Sequence, residues 1–464
     1  MMPAKLQIRF ETRGFALIAV MWIVLVAGLM LIGVQKAVRV NLATAYSELA
    51  SVQAHWLARA GLEQAMAVLE DDDSSTDDMF EFWYSDPDSF EETELATGTF
   101  SVTAPPGAMD NPRDTRYGLI DHCGRLNVNV AQANQLKSLC ELADWQVNSI
   151  LDWRDSDNET QPGGAEALYY HHLEYPYLIR NGPFRTNKEL FLVRGIDERV
   201  FAGEDTNLNG ILDANEDDLE KSYPDYDNGD GQLTLGLGGL TTVYAYELNR
   251  DANGNKRLNV NTANKDTLIQ RFNFTDALAE AVVNYGSSEG ESGKPKEGGQ
   301  PEKSSTKKFN SLMDLLKVKA EEKSSDKKSE DEGKVKEITV KWLAEHLDEL
   351  TLTDDERLPG QINVNTASKE VLMTLEKMTQ TTAEAIVQRQ NSGAGPFGSV
   401  GELLTGNTIT EDQFKVFAEQ LAVRSSVFEI HSVGVAKWGI RQEIVAVVDR
   451  GRNPMNILYW YQSE

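Results

Sequence analysis

Oxygen-bearing side chains between residues 205 and 216 have the spacing of a loop that wraps around a calcium ion. They stand at the first, third, fifth, ninth and twelfth positions of the segment, with a glycine at the sixth: Asp205, Asn207, Asn209, Asp213 and Glu216, with Gly210. Ca²⁺ takes about six to eight oxygen ligands, and a glutamate at the twelfth position of such a loop supplies two of them. The segment therefore predicts a structural calcium site, and the alternative is a solvated acidic loop.

Two further acidic clusters offer ligands of the same kind. The first partly repeats the loop pattern and precedes a glycine, and the second lies earlier in the chain: Asp225, Asp227 and Asp230; Asp152, Asp155 and Asp157. A cation at such a cluster would offset the repulsion between carboxylates and fix a long loop. The sequence therefore predicts Ca²⁺ as a structural ion and leaves the number of ions open.

The two cysteines allow two interpretations. Cys123 and Cys140 are separated by one strand-to-helix step. In an oxidising compartment they could form a disulfide, and otherwise they are two buried thiols. The sequence leaves this choice open.

The composition argues against catalysis and against nucleic-acid binding. The 464-residue chain has a formal net charge of −28, which repels phosphate backbones. It contains no Gly-x-Ser-x-Gly, no His-Glu-x-x-His and no phosphate-binding loop, and its six histidines lack zinc spacing. We therefore expect a non-enzymatic protein that does not bind nucleic acid.

An uncharged run near the N-terminus predicts a membrane anchor. Residues 15–34 carry no charge, and 20 residues suffice for one transmembrane helix. Apolar and small residues then recur at helical spacing to about residue 69 without a proline. The preceding residues 1–14 are basic and end in Gly14, so the small residue precedes the apolar run, whereas a secretory signal has its small cleavage-site residues after that run. An uncleaved signal anchor is the alternative to a processed leader.

One phrase occurs three times and defines an internal repeat. It reads Leu-Asn-Val-Asn-Val at 126–130, Leu-Asn-Val-Asn-Thr at 258–262 and Ile-Asn-Val-Asn-Thr at 362–366. Each copy precedes two helical stretches and a short turn containing Phe184, Phe309 or Phe397. We expect the second Asn or the Thr to cap the following helix, with Ser368 adding to the third cap. Each repeat is then a helix-hairpin-helix unit.

The hairpins of these units lack the glycines that would bind phosphate. Modules of this kind bind DNA through backbone N–H groups of a Gly-x-Gly hairpin. Here the segments between the helices read Leu-Ala-Asp-Trp at 142–145, Phe-Asn-Phe-Thr at 272–275 and Glu-Lys-Met-Thr-Gln at 376–380. The repeats are therefore interpreted as a scaffold that docks proteins. A membrane-anchored DNA-binding protein of a type IV pilus or competence system is kept as the alternative.

The leader resembles those of type IV prepilins and pseudopilins. That resemblance implies cleavage after Gly14 and N-methylation of Phe15. These families usually carry a Glu at the fifth mature position, where this chain has Ala19. Its absence is typical of the protein K family of minor pseudopilins in the type II secretion system.

The first repeat resembles the same family. It contains, in order, Ile-Leu-Asp-Trp-Arg-Asp-Ser-Asp at 150–157, Pro-Gly-Gly-Ala-Glu at 162–166, Tyr-Pro-Tyr at 175–177 and Gly-Pro-Phe at 182–184. The resemblance covers most of residues 10–200. It implies a subunit that caps the tip of a periplasmic filament, with minor pseudopilins I and J, and also H, as partners, and with the secretin or secreted substrates beyond the tip. It also implies an inner-membrane anchor with the bulk of the chain in the periplasm.

The expected fold is α+β: a pilin-like long helix packed on a small antiparallel sheet, with a large inserted domain of helix-hairpin-helix, SAM-like repeats. Strands are predicted at 98–104, 427–433 and 442–448. Polar segments at 286–308 and 320–336 are predicted to be surface insertions. The predicted boundaries follow chain order: leader 1–14, membrane span 15–34, pilin-like domain 70–118 and 424–464, first repeat 119–200, calcium-loop insertion 201–248, second repeat 249–320, linker and helix 321–357, third repeat 358–423.

Overall fold

The computed structural model describes residues 13–72, 75–285, 308–320 and 333–463. Nearly all of the leader and most of the two polar insertions therefore lie outside the described residues. The side chains of residues 13, 14 and 220 are also outside the description.

A single long helix, α1 (Arg13–Asp71), forms the N-terminal part of the fold. Among the described residues it is the one helix long and apolar enough to cross a membrane, with a mean hydropathy of 2.9 in its most apolar window. Its second half lies on a sheet, where it buries Leu57, Leu62 and Leu69. Gly434 lets the sheet pack closely against α1, because a Cβ at this position would lie 2.0 Å from the carbonyl oxygen of Ala54 in that helix.

Short elements follow α1 and lead into the first repeat. They are α2 (Pro87–Phe90), β1 (Thr93–Leu95), β2 (Gly98–Ala104), β3 (Arg116–Tyr117) and β4 (Ile120–Asp121). Strand β2 has the bounds that its alternating pattern predicted.

Each repeat is a group of short helices closed by two parallel two-residue strands. The first contains β5 (Leu126–Asn127), α3 (Ala133–Leu139), α4 (Asp144–Arg154), α5 (Ala167–His171), α6 (Glu198–Ala202), α7 (Leu237–Leu240) and β6 (Thr241–Thr242), with 3₁₀ helices at Asn187–Leu192, Ala214–Glu216 and Leu219–Lys221. Strand β7 (Tyr246–Leu248) follows.

The second and third repeats share this plan. The second contains β8 (Leu258–Asn259), α8 (Lys265–Phe272), α9 (Asp276–Val283), α10 (Val340–His346) and β9 (Leu350–Thr351), with 3₁₀ helices at Leu312–Lys317 and Leu347–Glu349. After β10 (Arg357–Pro359), the third contains β11 (Ile362–Asn363), α11 (Lys369–Leu372), α12 (Gln380–Gln390), α13 (Glu402–Thr405), α14 (Glu411–Phe417) and β12 (Leu421–Ala422), with a 3₁₀ helix at Ala418–Gln420.

Two predicted boundaries were wrong. Strand β5 pairs with β6 and β8 pairs with β9, so the first repeat closes at Thr242 rather than at 200, and the second at Thr351 rather than at 320. The acidic insertion 201–248 therefore lies mostly inside the first repeat. The segment 321–357 was predicted as a linker and a helix; its described part contains a helix, α10, and also the closing strand of the second repeat, β9. In the third repeat, predicted at 358–423, β11 pairs with β12.

The chain ends in three strands that complete the main sheet. They are β13 (Val427–Ala436), β14 (Arg441–Asp449) and β15 (Asn456–Gln462), of which the sequence predicted the first two. The antiparallel order is β1-β2-β13-β14-β15, with β3 and β4 on the flanks of β2 and β13. This confirms the predicted fold: a long helix on a small antiparallel sheet, with helical repeats inserted between an early strand and the last hairpin.

The repeated phrase binds the Phe turn of its own repeat. In the third copy, Phe397 N donates to Asn365 Oδ1 at 2.8 Å and Asn365 Nδ2 donates to the Phe397 carbonyl at 3.0 Å. The same two bonds join Asn129 to Phe184 and Asn261 to Phe309. The predicted capping role of this Asn was therefore wrong.

Other residues cap the helices that follow. Asn264 accepts from Thr267 N and Ser368 accepts from Val371 N, so the predicted contribution of Ser368 is confirmed.

Asn365→Ala should lower the free energy of unfolding by about 2–4 kcal/mol, because it leaves a buried N–H and a buried C=O of the Phe turn unpaired. Urea denaturation checks this. The exposed Asn253→Ala is the control and should change stability by less than about 0.5 kcal/mol. Equal effects of the two changes would contradict the role assigned to the Asn.

Candidate metal centre

Three carboxylates of the first repeat converge on one point. Oxygen atoms of Asp152, Asp155 and Glu166 lie within 4.8 Å of one another. Asp152 is in the last turn of α4, Asp155 follows that helix, and Glu166 directly precedes α5. The turn between the helices packs tightly, since a Cβ on Gly164 would lie 2.1 Å from Asp152 Oδ2.

Glu166 is buried and unpaired in this cluster. It is 3% exposed, and neither of its carboxylate oxygens has a hydrogen-bond partner. Asp152, also buried, accepts from Gln161 N. Burial, and next the charge of Asp152, raise the pKa of Glu166 to about 7. A buried carboxylate without a partner is costly, and three converging hard oxygens suit a divalent cation such as Ca²⁺.

The sequence analysis predicted two of the three residues of this cluster. Asp152 and Asp155 were named as candidate ligands, whereas Asp157 is exposed and uses Oδ1 to accept from Glu159 N at 2.7 Å. Glu166 was missed as a ligand. The Pro-Gly-Gly-Ala-Glu segment at 162–166 could have indicated this residue, because its glycines allow a turn that brings Glu166 back toward α4.

The loop at 205–216 turns sharply around the carboxylate of Asp205. Asp205 accepts from Asn209 N at 3.0 Å and from Gly210 N at 2.9 Å, and Gly210 has φ +69°. Both oxygens of Glu216 accept from loop N–H groups, those of Thr206 and Asp213.

The side chains of this loop also bond to one another. Asn207 and Asn209 donate their amides to Asp213 Oδ2. The loop therefore closes on its own hydrogen bonds, and calcium binding by these residues stays a prediction.

The loop also attaches the first repeat to the sheet domain. Leu212 N donates to the Pro112 carbonyl at 2.8 Å, and Arg113 forms an ion pair with Asp217. The first repeat is thus held against the segment between β2 and β3.

The second predicted cluster does not form one site. Asp225 and Asp230 are exposed, whereas Asp227 is buried and accepts from Leu219 N. Among the described residues, two groups of three carboxylates converge: Asp152, Asp155 and Glu166, described above, and Asp72, Asp77 and Glu81. In the latter group, Arg450 forms ion pairs with Asp72 and Asp77 and so supplies a positive charge.

Cys123 and Cys140 are both free thiols in the structure. Cys123 is buried, and its thiol donates to the Tyr246 carbonyl at 3.5 Å. The structure therefore contains two free thiols and no disulfide between these cysteines.

The hairpins between the first two helices of the three repeats share a backbone feature. Glu141, Asn273 and Lys377 occupy corresponding hairpin positions with φ of 51°, 54° and 65°. Glycine is the usual residue at such angles. Each of the three repeats instead places a residue with a side chain at this hairpin position.

Two family models match parts of the chain. Residues 120–203 match the family described as type II secretion system (T2SS), protein K. Residues 360–422 match the helix-hairpin-helix motif, which confirms that prediction for the third repeat. No curated protein gives a significant match to the chain.

One similar solved structure is the crystal structure of the GspK-GspI-GspJ complex from the enterotoxigenic Escherichia coli type 2 secretion system. Sequence identity is 14% and the TM-score is 0.38, over 92% of this chain and 99% of that chain. A TM-score this low does not establish a shared overall geometry.

The family match over residues 120–203 includes the motifs at 150–184 on which the predicted resemblance was based. The predicted resemblance is thereby confirmed: this chain is similar to protein K of the type II secretion system.

Proposed function

We propose that the chain is a minor pseudopilin of the type II secretion system. In this proposal α1 anchors it in the inner membrane and the rest lies in the periplasm, where it caps the tip of the pseudopilus, helps to start its assembly and supports export across the outer membrane. The match to protein K and the helix-on-sheet plan support this proposal. The proposal assigns the chain no catalytic role.

The observation that carries the proposal is an uncovered apolar stripe on α1. Its residues alternate at spacings of four and three, the pattern of a coiled-coil seam: Val38, Leu42, Ala45, Leu49, Val52 and Trp56. All of them are exposed, with Leu49 at 49% and Trp56 at 65%. The stripe continues directly from the apolar span, so its natural partner is another membrane-anchored helix. We take proteins I and J as those partners, with protein H as a further candidate.

Two features support a place at the filament tip. Ala19 stands where pilin-like subunits usually carry the Glu that pairs with a neighbour's N-terminus. The three repeats also lie between β4 and β13, on the sheet domain, as a bulky insertion. A body of this width would obstruct stacking of further subunits above it. In this position the tip would contact the secretin or the secreted substrates.

Leu49→Glu should weaken association of the full chain with co-purified proteins I and J by roughly tenfold or more, since it places a charge in an apolar helix seam. Affinity measured in detergent checks this. The control is Ser47→Glu, on the opposite side of the helix, which should bind like the unaltered chain. The assembly proposal fails if the unaltered chain does not associate with these proteins.

Co-expression with a prepilin peptidase should yield a chain that begins at a methylated Phe15. Mass spectrometry of the intact protein measures this directly. The control is Gly14→Leu, which should remain unprocessed because the cleavage site lacks its small residue. An unaltered chain that keeps residues 1–14 would instead be an ordinary signal-anchored protein.

We further propose that Ca²⁺ binds in the first repeat through Asp152, Asp155 and Glu166. The unpaired, buried carboxylate of Glu166 supports this assignment. The ion would serve a structural role by offsetting the charge of the cluster. The loop at 205–216 is proposed as a second calcium site on its spacing alone.

Calcium should raise the thermal unfolding midpoint of the EDTA-treated chain by a few degrees. Glu166→Gln should abolish most of that rise, yet in EDTA it should be at least as stable as the unaltered chain, because a buried unpaired charge has gone. The exposed Glu159→Gln is the control, and Glu216→Gln tests the second loop in the same assay. An undiminished calcium response in Glu166→Gln would exclude the cluster.

The alternative function, membrane-anchored DNA binding, keeps the same fold. The helix-hairpin-helix match names a motif that such proteins share. The net charge of −28 and the side chains of Glu141, Asn273 and Lys377 at the hairpins weigh against it.

A further inference from the structure

The two edges of the main sheet differ in their protection against strand pairing. Strand β1 has three residues, includes Glu94, and follows Glu91 and Glu92. Strand β15 has seven uncharged residues, Asn-Ile-Leu-Tyr-Trp-Tyr-Gln, and among the described residues its strand partner is β14 alone. Short length and charge are the usual means of blocking an edge, and an uncharged aromatic edge is open to a further strand.

The orientation of the free backbone groups follows from the register. Ser463 N donates to the Glu443 carbonyl, and β14 pairs Val445 with Tyr461 and Val447 with Tyr459. Backbone groups alternate in direction along an antiparallel strand. Tyr459 and Tyr461 therefore direct theirs toward β14, whereas Trp460 and Gln462 direct their N–H and C=O away from the sheet.

A cleft lies beside this edge, between β15 and α1. It has a volume of about 560 Å³, and its lining includes Trp56, Arg59, Glu63 and Trp460. The Arg59 guanidinium carbon lies 5.1 Å from the centre of the Trp460 ring, and Arg59 also pairs with Glu63. Trp460, 37% exposed, thus presents part of its ring beside the open edge.

Trp56 joins this cleft to the apolar stripe of α1. It is the last residue of that stripe and it also lines the cleft. A subunit that packs its helix along the stripe would therefore reach β15 with the part of the chain that follows its helix. The free backbone groups at the edge require an occupant that is itself an extended strand.

We propose that β15 is a docking edge that takes a β-strand from a second pilin-like subunit, with an apolar side chain of that strand in the cleft between Trp56 and Trp460. This inference rests on the proposed function, because the occupant is the same subunit that packs along α1. The sheet would then continue from one subunit into the next through backbone hydrogen bonds.

Hydrogen exchange of the full chain, alone and with purified proteins I and J, tests the pairing without any mutation. The Trp460 and Gln462 amides should exchange freely in the chain alone and at least tenfold more slowly in the complex. The Tyr459 and Tyr461 amides, bonded to β14, should be protected in both states. Outward amides that stay unprotected in the complex would overturn the proposal.

A matched pair of variants isolates the backbone contribution. Gln462→Pro and Gln462→Ala both remove the exposed side chain, and only the proline also removes the outward N–H, at a position where an edge strand accepts proline. The proline variant should bind proteins I and J about five- to tenfold more weakly than the alanine variant. Equal affinities would overturn the strand pairing.

The outcomes separate this inference from the proposed function. A chain that fails to associate with proteins I and J overturns the proposed function, and the strand pairing fails with it. Association that is weakened by Leu49→Glu but leaves the outward amides unprotected overturns the strand pairing alone.

Discussion

The inserted domain depends on one pair of hydrogen bonds made three times. In each repeat an Asn side chain bonds both to the N–H and to the C=O of a Phe residue that lies 32 to 55 residues further along the chain. The Phe ring is buried in every case. Because these bonds fix the Phe turn against the first strand, the short helices between them share one core, although none is long enough to be stable alone.

The same phrase connects the insertion to the pilin-like part. In the third copy, Asn363 Nδ2 lies within hydrogen-bond distance of the Asp77 carbonyl, Asp121 Oδ2 and Ser425 Oγ, all of them in buried residues. Between the repeats, Arg424 and Arg257 bond to Glu247 and Asp348 in a mostly buried network. Removal of one partner from such a network leaves an unpaired charge and is strongly destabilising. One continuous apolar core runs through the three repeats, the sheet and α1 have a second core, and the polar networks above add contacts between these parts.

The sequence predicted what periodicity can show. The anchor helix, the strand at 98–104, the closing hairpin and three repeats all follow from spacing within the segment concerned. The role of the Asn in the phrase did not follow, because its partner is a backbone group far away in the sequence. The ends of the first two repeats were missed for a related reason, since a two-residue strand has no pattern of its own. Glu166 became a candidate ligand only when folding brought it to α4, and β15 was missed because its exposed aromatic run has no clear buried face.

The length of α1 sets the distance between the membrane and the folded body of the protein. With residues 15–34 in a bilayer, residues 35–45 continue as exposed helix and rise by ~16 Å before Tyr46 contacts Trp438 at the turn between β13 and β14. The folded body then stands above the lipid headgroups on a stiff stalk. Two subunits built this way can meet while both remain in the membrane, since their stalks come alongside before their bodies do. The search for a partner is then confined to a surface, which raises the effective concentration of each for the other.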